Sequence, residues 1–156
     1  MVFSMSDRYE IRGKLGRGGM SSIYRGFDTM MGREVAIKRL LAFEETNLNE
    51  AAGAEVLARE AGALAKFSHP NVVSVYAFEA DDDGAFVGRE LVDGHDLHQI
   101  LKAGALSYED FKDVATQSVE PLIDAAELGL LHRDIKPANV MLGDFGSKRS
   151  QFFCRL

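Results

Sequence analysis

The sequence predicts an α+β fold in which antiparallel strands come first and helices follow. Three observations support this prediction. Roughly the first ninety residues contain short apolar or alternating runs separated by Gly- and Asp-rich turns, a pattern typical of antiparallel hairpins. One stretch among them has apolar residues at helical spacing. The second half contains two clear helix-start signals and a helix-stop glycine.

The composition argues against several classes of protein. The chain has 156 residues, with 18 basic and 24 acidic side chains and a net charge of −6, which disfavours nucleic acid or an anionic membrane as partner. Cys154 is the single cysteine, so no intramolecular disulfide is possible, which suits a reducing compartment. No apolar run is long enough for a membrane span or a signal peptide, and we expect a cytoplasmic location.

Five strands are predicted in the first part of the chain. Each is a run rich in β-branched, aromatic or alternating residues with turn residues at its ends. The predicted strands are residues 9–15, 23–28, 34–40, 72–78 and 85–90, with turns around Gly32 and Gly84.

A helix is predicted to interrupt these strands, from about residue 46 to about residue 66. Glu60 lies within about 60° of Leu57, at the edge of the apolar face, whereas Glu55 lies about 160° away and faces water. A carboxylate on a core-facing edge requires a cationic partner, which singles out Glu60.

Two helices are predicted in the second half. Asp96 is the N-cap of a short helix that ends at Gly104, and Ser107 is the N-cap of a longer one. Asp110 occupies its capping-box position, and Gly129 lies where a left-handed C-cap is expected. The apolar stripe of the longer helix is predicted to consist of Phe111, Val114, Ala115, Ser118, Leu122 and Ala126.

Two motifs lie on the predicted strands. The loop between the first two contains Gly16, Arg17, Gly18, Gly19, Met20 and Ser21. Its glycines allow backbone N–H groups to approach an anion, so the loop is either a phosphate-binding loop or an ordinary Gly-rich hairpin. The third strand places Ala36 and Lys38 on one face. If that face is inward, Lys38 must meet Glu60 or a ligand phosphate; otherwise it is a solvent-facing lysine.

The most specific motif is His132-Arg133-Asp134-Ile135-Lys136-Pro137-Ala138-Asn139. Asp134 can accept a hydroxyl proton, Lys136 supplies a cation beside a transferring phosphoryl group, and Asn139 offers an amide oxygen to Mg²⁺.

In this order, the Gly-rich loop, the Ala-Ile-Lys strand and the His-Arg-Asp loop resemble a protein kinase. Residues 6–11, 59–61 and 69–73 are similar to those of bacterial Ser/Thr kinases of the Hanks type, and Lys136 is the Ser/Thr form. The resemblance implies a five-stranded small lobe with its αC helix and hinge over residues 7–92. It implies part of a large lobe, with its first helices, catalytic loop and following hairpin, over residues 93–156.

The resemblance also implies the cofactors and the roles of single residues. ATP and Mg²⁺ would be bound, and the γ-phosphoryl group would pass to a Ser/Thr hydroxyl of a protein substrate. Lys38 would contact the α- and β-phosphates and pair with Glu60. Asp134 would be the catalytic base, with Lys136 beside it, and Asn139 a Mg²⁺ ligand, whereas His132 would be structural. The nucleotide contacts would be Leu15, Gly16, Arg17, Gly18, Gly19, Met20, Ser21, Ile23, Ala36, Lys38, Glu90, Val92 and Met141.

The motif Asp144-Phe145-Gly146 looks like the family's metal-binding motif, but its position in the sequence predicts that Asp144 is not the metal-binding residue. In the family, a strand, a turn and a second strand separate the Asn from that motif, and only one strand fits between Asn139 and Asp144. Residues 152–156 make a better second strand. We therefore expect the metal-binding Asp to follow Leu156 and the chain to be an incomplete catalytic domain, inactive alone, which self-associates through the apolar stripe of its long helix.

Arg89 departs from the family pattern, which usually has an uncharged residue before the hinge glutamate. An inward arginine would reach a phosphate or pair with Glu60 in competition with Lys38, and it would interfere with ordinary nucleotide binding. A one-residue shift would turn it outward, because strand faces alternate, and we expect this outward orientation.

Three functions remain open from the sequence. The first is a protein Ser/Thr kinase, and the second is a non-catalytic ATP-binding or protein-interaction module. The third is a fragment with no function of its own. Stabilisation by ATP without turnover would favour the second over the first.

Overall fold

The computed structural model describes residues 7–17, 21–40, 62, 65–81, 84–132, 134–143 and 151–154. The chain divides into two compact units, Met1–Lys66 with Ser74–Leu91, and Phe67–Val73 with Val92–Leu156. Most of the predicted helix that carries Glu60, including Glu60 itself, lies outside the described residues, as do Gly18, Gly19, Met20, Arg133 and residues 144–150. The predicted α+β class is confirmed. The predicted domain bounds stay a prediction, but residues 67–73 group with the second unit, not the first.

A five-stranded antiparallel sheet forms the first unit. Its strands are β1 (Tyr9–Arg17), β2 (Ser21–Asp28), β3 (Arg33–Leu40), β4 (Val75–Asp81) and β5 (Gly84–Glu90), in the order β1-β2-β3-β5-β4. Short connections join β1 to β2, β2 to β3 and β4 to β5, so each of these pairs is an antiparallel neighbour. The long connection after β3 lets β5 pair with β3.

The fourth strand begins three residues later than predicted, at Val75. The two apolar residues before it are buried in the second unit: Val72 packs with Phe67 and Ala125, and Val73 with Met141. The prediction placed the start of this strand too early because β-branched residues such as Val72 and Val73 occur in packed loops as well as in strands.

The core of the first unit lies on one face of the sheet. Val35 and Ile37 of β3 are fully buried there with Phe86 of β5, and the rings of Tyr9 and Phe86 meet edge to face with centroids 5.8 Å apart. Burial of each large apolar side chain stabilises the fold by roughly 1.5–3 kcal/mol. These side chains therefore fix the register of β3.

Asp28, at the end of β2, is fully buried and holds the turn into β3. Its carboxylate accepts hydrogen bonds from Arg8 Nε at 3.0 Å and Nη2 at 2.7 Å, and from the backbone N–H groups of Met30 and Met31 at 3.1 Å. Arg8 also donates to Glu79 of β4 at 3.2 Å. The hydrogen bonds from Arg8, above all, lower the pKa of Asp28.

The second unit combines helices with a small sheet. It contains β6 (Gly94–Asp96), α1 (Leu97–Ala103), α2 (Tyr108–Glu127), a 3₁₀ turn (Pro137–Asn139), β7 (Val140–Gly143) and β8 (Gln151–Cys154), and the sheet order is β6-β7-β8. The predicted hairpin is confirmed, because β7 and β8 pair antiparallel. No helix in the described part of the chain has both the length and the apolar composition to cross a lipid bilayer.

Local signals set the ends of α2 as predicted. Ser107 Oγ accepts a hydrogen bond from the Asp110 N–H at 3.1 Å. At the other end Gly129 has φ 74°, in the left-handed region that favours glycine. The Leu130 N–H then bonds the Ala125 carbonyl at 2.9 Å, and Leu130 packs against the cluster that contains Ala125. This is a Schellman ending with its apolar contact.

The buried face of α2 differs from the predicted stripe. Val114 is buried as predicted, but Pro121 and Ala125 are buried with it, whereas Phe111 is 58% exposed and Ala126 is also exposed. Apolar residues cover more than half of the circumference of this helix. Helical periodicity alone therefore could not decide which part of the apolar arc packs inward.

We predict that Asp28→Asn weakens the fold in a pH-dependent way. Because the native pKa of Asp28 is lowered, its carboxylate stabilises the native state above the unfolded pKa of about 4, and this stabilisation is lost as the pH falls through the native pKa. The variant should lose about 1–3 kcal/mol of unfolding free energy at pH 7 and show a shallower further loss in acid.

Urea unfolding between about pH 6 and about pH 2 measures both effects. Asp93→Asn, at an exposed carboxylate outside the sheet, is the control. Parallel stability curves for wild type and Asp28→Asn would contradict the prediction.

Candidate active site

The loop before β7 holds the Asp134 carboxylate from two sides. Lys136 Nζ lies 2.9 Å from Asp134 Oδ2. Asn139 Nδ2 donates to the same oxygen at 3.1 Å and to the Asp134 backbone carbonyl at 2.8 Å. Asn139 can reach back because the 3₁₀ turn folds the chain, with its N–H bonded to the Lys136 carbonyl at 2.9 Å. The loop therefore brings together the predicted catalytic residues of this motif.

His132 supports the same loop through a backbone contact. Its Nδ1 accepts a hydrogen bond from the Asp134 N–H at 3.1 Å. This contact ties the His132 ring to the backbone of the loop. The structural role expected for His132 agrees with this geometry.

The electrostatics of the loop keep Asp134 ionised. The hydrogen bond from Lys136 is the largest cause of its lowered pKa, and the Asn139 hydrogen bond and the charge of Lys136 act in the same direction. The carboxylate is also exposed. An ionised, accessible carboxylate can accept a hydrogen bond from a hydroxyl group of a ligand.

The side-chain amide of Asn139 includes an oxygen of the kind that binds a hard cation. Both hydrogen bonds from its side chain to Asp134 use the amide nitrogen, and the Oδ1 oxygen takes part in neither. Within the described ranges no group of three or more His, Cys, Asp or Glu side chains is placed to hold a metal ion. An amide oxygen and one nearby carboxylate fit Mg²⁺ best when phosphate oxygens complete its shell.

The strand register of the first unit defines a second set of predicted site residues. Lys38 lies opposite Ile23 of β2 and Val87 of β5, and Ala36 lies opposite Arg89. Because paired residues of neighbouring strands project to the same side, these five share one face, which we call the lysine face. The prediction that Ala36 and Lys38 share a face is confirmed, and this face is opposite to the Val35–Ile37 core.

The expectation that Arg89 turns outward by a one-residue shift is wrong. Arg89 pairs in register with Ala36 on one side and with Val75 on the other. The irregularity in β4 comes after Val75, so it does not move Arg89 to the other face. Burial of Phe86 on the core face fixes this register, which places Arg89 on the lysine face.

The remaining predicted nucleotide contacts are distributed over both units. In the first unit Gly16 pairs with Ile23, Arg17 pairs with Ser22, Ser21 begins β2, and Leu15 is about half exposed. In the second, Met141 is buried against Val73, and Val92 packs on the same cluster. The proposed pair of Lys38 with Glu60 falls outside the described residues.

The hinge glutamate has a contact that sequence reasoning missed. The Glu90 carboxylate accepts the Ser74 N–H at 3.1 Å, and the Glu90 N–H donates to the Ser74 carbonyl at 2.9 Å. These bonds fix the end of β5 to the start of β4. The two residues are far apart in the sequence and belong to no motif, so only the fold reveals the contact.

Asp144 lies between two paired strands in the sequence. The β7–β8 ladder pairs Val140 with Cys154 and Gly143 with Gln151, so β8 follows Asp144. The family's metal-binding motif follows the second strand of this hairpin. Asp144 itself lies outside the described residues, and its exclusion as the metal ligand is carried forward as a proposal.

We predict that Lys136→Met raises the pKa of Asp134 towards its ordinary value, because the hydrogen bond from Lys136 is the largest cause of the lowering. Titration of the Asp134 carboxyl carbon by NMR measures the shift, and Lys102→Met, at an exposed lysine of α1, is the control. An unchanged titration in Lys136→Met would show that the contact with Asp134 does not form in solution.

Comparison with known proteins finds similarity to protein kinases along nearly the whole chain. The family model described as "Protein kinase domain" matches residues 9–150. A probable serine/threonine-protein kinase of Corynebacterium efficiens is 35% identical over 158 residues, covering 98% of this chain and 24% of the relative. The serine/threonine-protein kinase PksC of Streptomyces coelicolor is 39% identical over 86% of this chain and 25% of the relative.

PrkC of Bacillus subtilis, also a serine/threonine-protein kinase, is 35% identical over 92% of this chain and 22% of the relative. The chain thus spans about a quarter of the length of these curated relatives. With the family match, the strand order and the Asp134 loop in agreement, the chain belongs to the protein kinase family, in its bacterial Ser/Thr branch of the Hanks type.

Proposed function

We propose that this chain binds ATP with Mg²⁺ and contributes to transfer of the γ-phosphoryl group to Ser/Thr hydroxyls of a protein substrate. The observation that carries the proposal is the Asp134 carboxylate, which Lys136 and Asn139 hold ionised and exposed. Protein kinases as a family use ATP and Mg²⁺, so the proposal specifies for this chain what is general for the family.

In the proposed reaction, the substrate hydroxyl oxygen forms a bond to the γ-phosphorus as the bond to ADP breaks. Asp134 orients the hydroxyl and receives its proton. Lys136, 2.9 Å from Asp134, places a positive charge where negative charge develops on the phosphoryl oxygens. Mg²⁺, when bound, neutralises phosphate charge, and Asn139 Oδ1 is the proposed ligand on this chain.

The proposed nucleotide contacts in the first unit are the glycine-rich loop, Ile23, Ala36 and the Glu90 carbonyl. Lys38 would bind the α- and β-phosphates and pair with Glu60. In the second unit, the Val92 N–H and the side chain of Met141 are the proposed contacts with the base. Support for these assignments comes from the strand register and from the cluster that holds Val92 and Met141.

We predict that Mg-ATP stabilises the chain and that Lys38→Met removes this effect, because the phosphates lose their cation. At 100 times Kd the wild type should gain about 2.7 kcal/mol of unfolding free energy. Asp134→Asn should keep the stabilisation and should lower, by about 100-fold or more, whatever phosphoryl transfer to a Ser/Thr peptide library the wild-type chain shows. Thermal unfolding and a radiolabelled transfer assay measure the two effects, with Lys102→Met as control.

The same assays separate the kinase from the non-catalytic alternative. Stabilisation by Mg-ATP without transfer would agree both with an ATP-binding module and with a catalytic domain that is inactive alone, whereas transfer that depends on Asp134 would favour the kinase. The absence of a shift at millimolar Mg-ATP would contradict both functions.

We further propose that Asp144 is not the metal ligand, because the β7–β8 pairing places it before the second strand. Asp144→Ala should leave the Mg²⁺ dependence of ATP binding unchanged, whereas Asn139→Ala should weaken it. Calorimetric titration with and without Mg²⁺ gives the comparison. Loss of the Mg²⁺ dependence in Asp144→Ala alone would identify Asp144 as the ligand.

We also propose that a second copy of the chain covers the exposed apolar side of α2. Tyr108, Phe111, Val119 and Ile123 are all at least half exposed there, and an exposed apolar surface favours association. Sedimentation velocity should show a concentration-dependent dimer that Phe111→Glu with Ile123→Glu converts to monomer. Glu120→Lys, on the polar side of α2 and opposite Phe111, should leave the dimer intact, and a monomeric wild type would contradict the proposal.

A further inference from the structure

The guanidinium group of Arg33 lies flat on an aromatic ring of the first unit. Its Cζ atom lies 3.4 Å from the centroid of the Tyr76 ring, a separation at which two planar groups are in face-to-face contact. Arg33 lies two residues before Val35 on β3, and Tyr76 packs against the cluster that contains Val35. The stacked pair therefore lies on the core face of the sheet, opposite to the lysine face.

Arg33 differs from several other arginines of this sheet because it has no carboxylate partner. Within the part of the chain that the structure describes, it makes no hydrogen bond and no ion pair. The arginines that each form an ion pair with a carboxylate are Arg8, Arg12, Arg25 and Arg39. Arg33 is also part-buried, and an unpaired guanidinium that is partly withdrawn from water favours an anionic ligand.

Three hydrogen-bond donors of the stacked pair are open to such a ligand. The Arg33 Nε–H is buried without an acceptor, but both Nη groups reach solvent, as does the Tyr76 hydroxyl. These three groups have no hydrogen-bond partner among the described residues. Burial, above all, raises the pKa of Tyr76, and the charge of Glu90 acts in the same direction, so at neutral pH the hydroxyl is protonated and can donate.

Two carboxylates lie near Arg33 by register, and each is engaged elsewhere. Asp28 lies opposite Arg33, but its carboxylate is held by Arg8 and by the N–H groups of the turn. Glu90 is a diagonal neighbour on β5, and its carboxylate accepts the Ser74 N–H at 3.1 Å. The negative charge of these two groups opposes the binding of an anion. A ligand therefore has to bond several donors of the stacked pair at once.

We propose that Arg33 and Tyr76 form a binding site for a phosphate group on the core face of the sheet, separate from the proposed nucleotide site. The two Nη groups lie in the guanidinium plane and can bond two oxygens of one ligand. The phenol oxygen lies in the plane of the ring beneath, so a third bond requires a ligand oxygen outside the guanidinium plane. A tetrahedral phosphate has such an oxygen, whereas a planar carboxylate does not. Free phosphate and a phosphorylated side chain offer the same chemistry.

Solution NMR tests the site with three probes: inorganic phosphate, O-phosphoserine and acetate. The two phosphates should shift the Arg33 Nε–H and Tyr76 ring signals in a saturable way, and acetate should bind about tenfold more weakly. Arg33→Gln, followed through the Tyr76 ring, should weaken phosphate binding about tenfold or more. Tyr76→Phe keeps the ring without the hydroxyl and should weaken it by about two- to tenfold. Arg12→Gln, at an arginine already paired with Glu34, is the control and should leave the affinity unchanged.

Arg33→Lys keeps the charge but not the planar pair of donors, so it should retain part of the affinity. This variant and Tyr76→Phe decide the question should Arg33→Gln fail to fold. Equal binding of acetate and phosphate would overturn the inference, as would equal weakening in Arg12→Gln, because the attraction would then be unspecific. Tighter binding of O-phosphoserine than of phosphate would support the site with a phosphorylated protein as the source, and the reverse order would support it with free phosphate.

Lys38→Met separates this site from the proposed nucleotide site. Phosphate binding that survives Lys38→Met and is lost in Arg33→Gln would support the inference, whether or not the chain binds ATP. Binding that is lost in Lys38→Met and kept in Arg33→Gln would place the ion on the lysine face. That result would overturn the inference and leave the proposed function standing.

Discussion

The pairing of β3 with both β2 and β5 determines where the chemistry of the first unit lies. Val35 and Ile37 are fully buried on one side of β3, and Ala36 and Lys38 face the other. A shift of one residue would expose the two buried side chains and bury a lysine in their place, at a cost of several kcal/mol. Apolar packing on one face therefore fixes the position of Lys38, and through β5 that of Arg89, on the other.

The second unit positions its carboxylate through a short chain of local contacts. Val140, directly after the 3₁₀ turn, is buried with Val114 of α2. That anchor brings Asn139 to the end of the turn, where its amide reaches back to Asp134. Asp134 is thus exposed, whereas Val140, next to the asparagine that holds it, is buried. This combination gives a ligand access without loss of geometry.

Sequence reasoning succeeded where the determining interaction is local. The caps at Ser107 and Gly129 need only neighbouring residues, and each has the expected geometry. The contact between Asp134 and Asn139 is also local, because one turn separates the two residues. Sequence reasoning failed where the determining contact joins residues that are far apart in the sequence. The packed face of α2 and the orientation of Arg89 depend on which sheet or loop lies opposite. The bond between Glu90 and Ser74 likewise joins two strands that no motif connects.

Topology also limits what a short motif can mean. The residues Asp144-Phe145-Gly146 match a metal-binding motif, yet they precede β8, the second strand of the hairpin, in the sequence. A metal-ligating side chain must lie at a particular position in the site. In a hairpin, that position depends on where the residue lies relative to the two strands and not on its type alone. Asp134, Lys136 and Asn139 meet this requirement because one turn brings them within hydrogen-bond or ion-pair distance. Strand pairing likewise determines the position of Arg89. No motif contains this residue, but the pairing of β3 with β5 places it on the same face as Lys38.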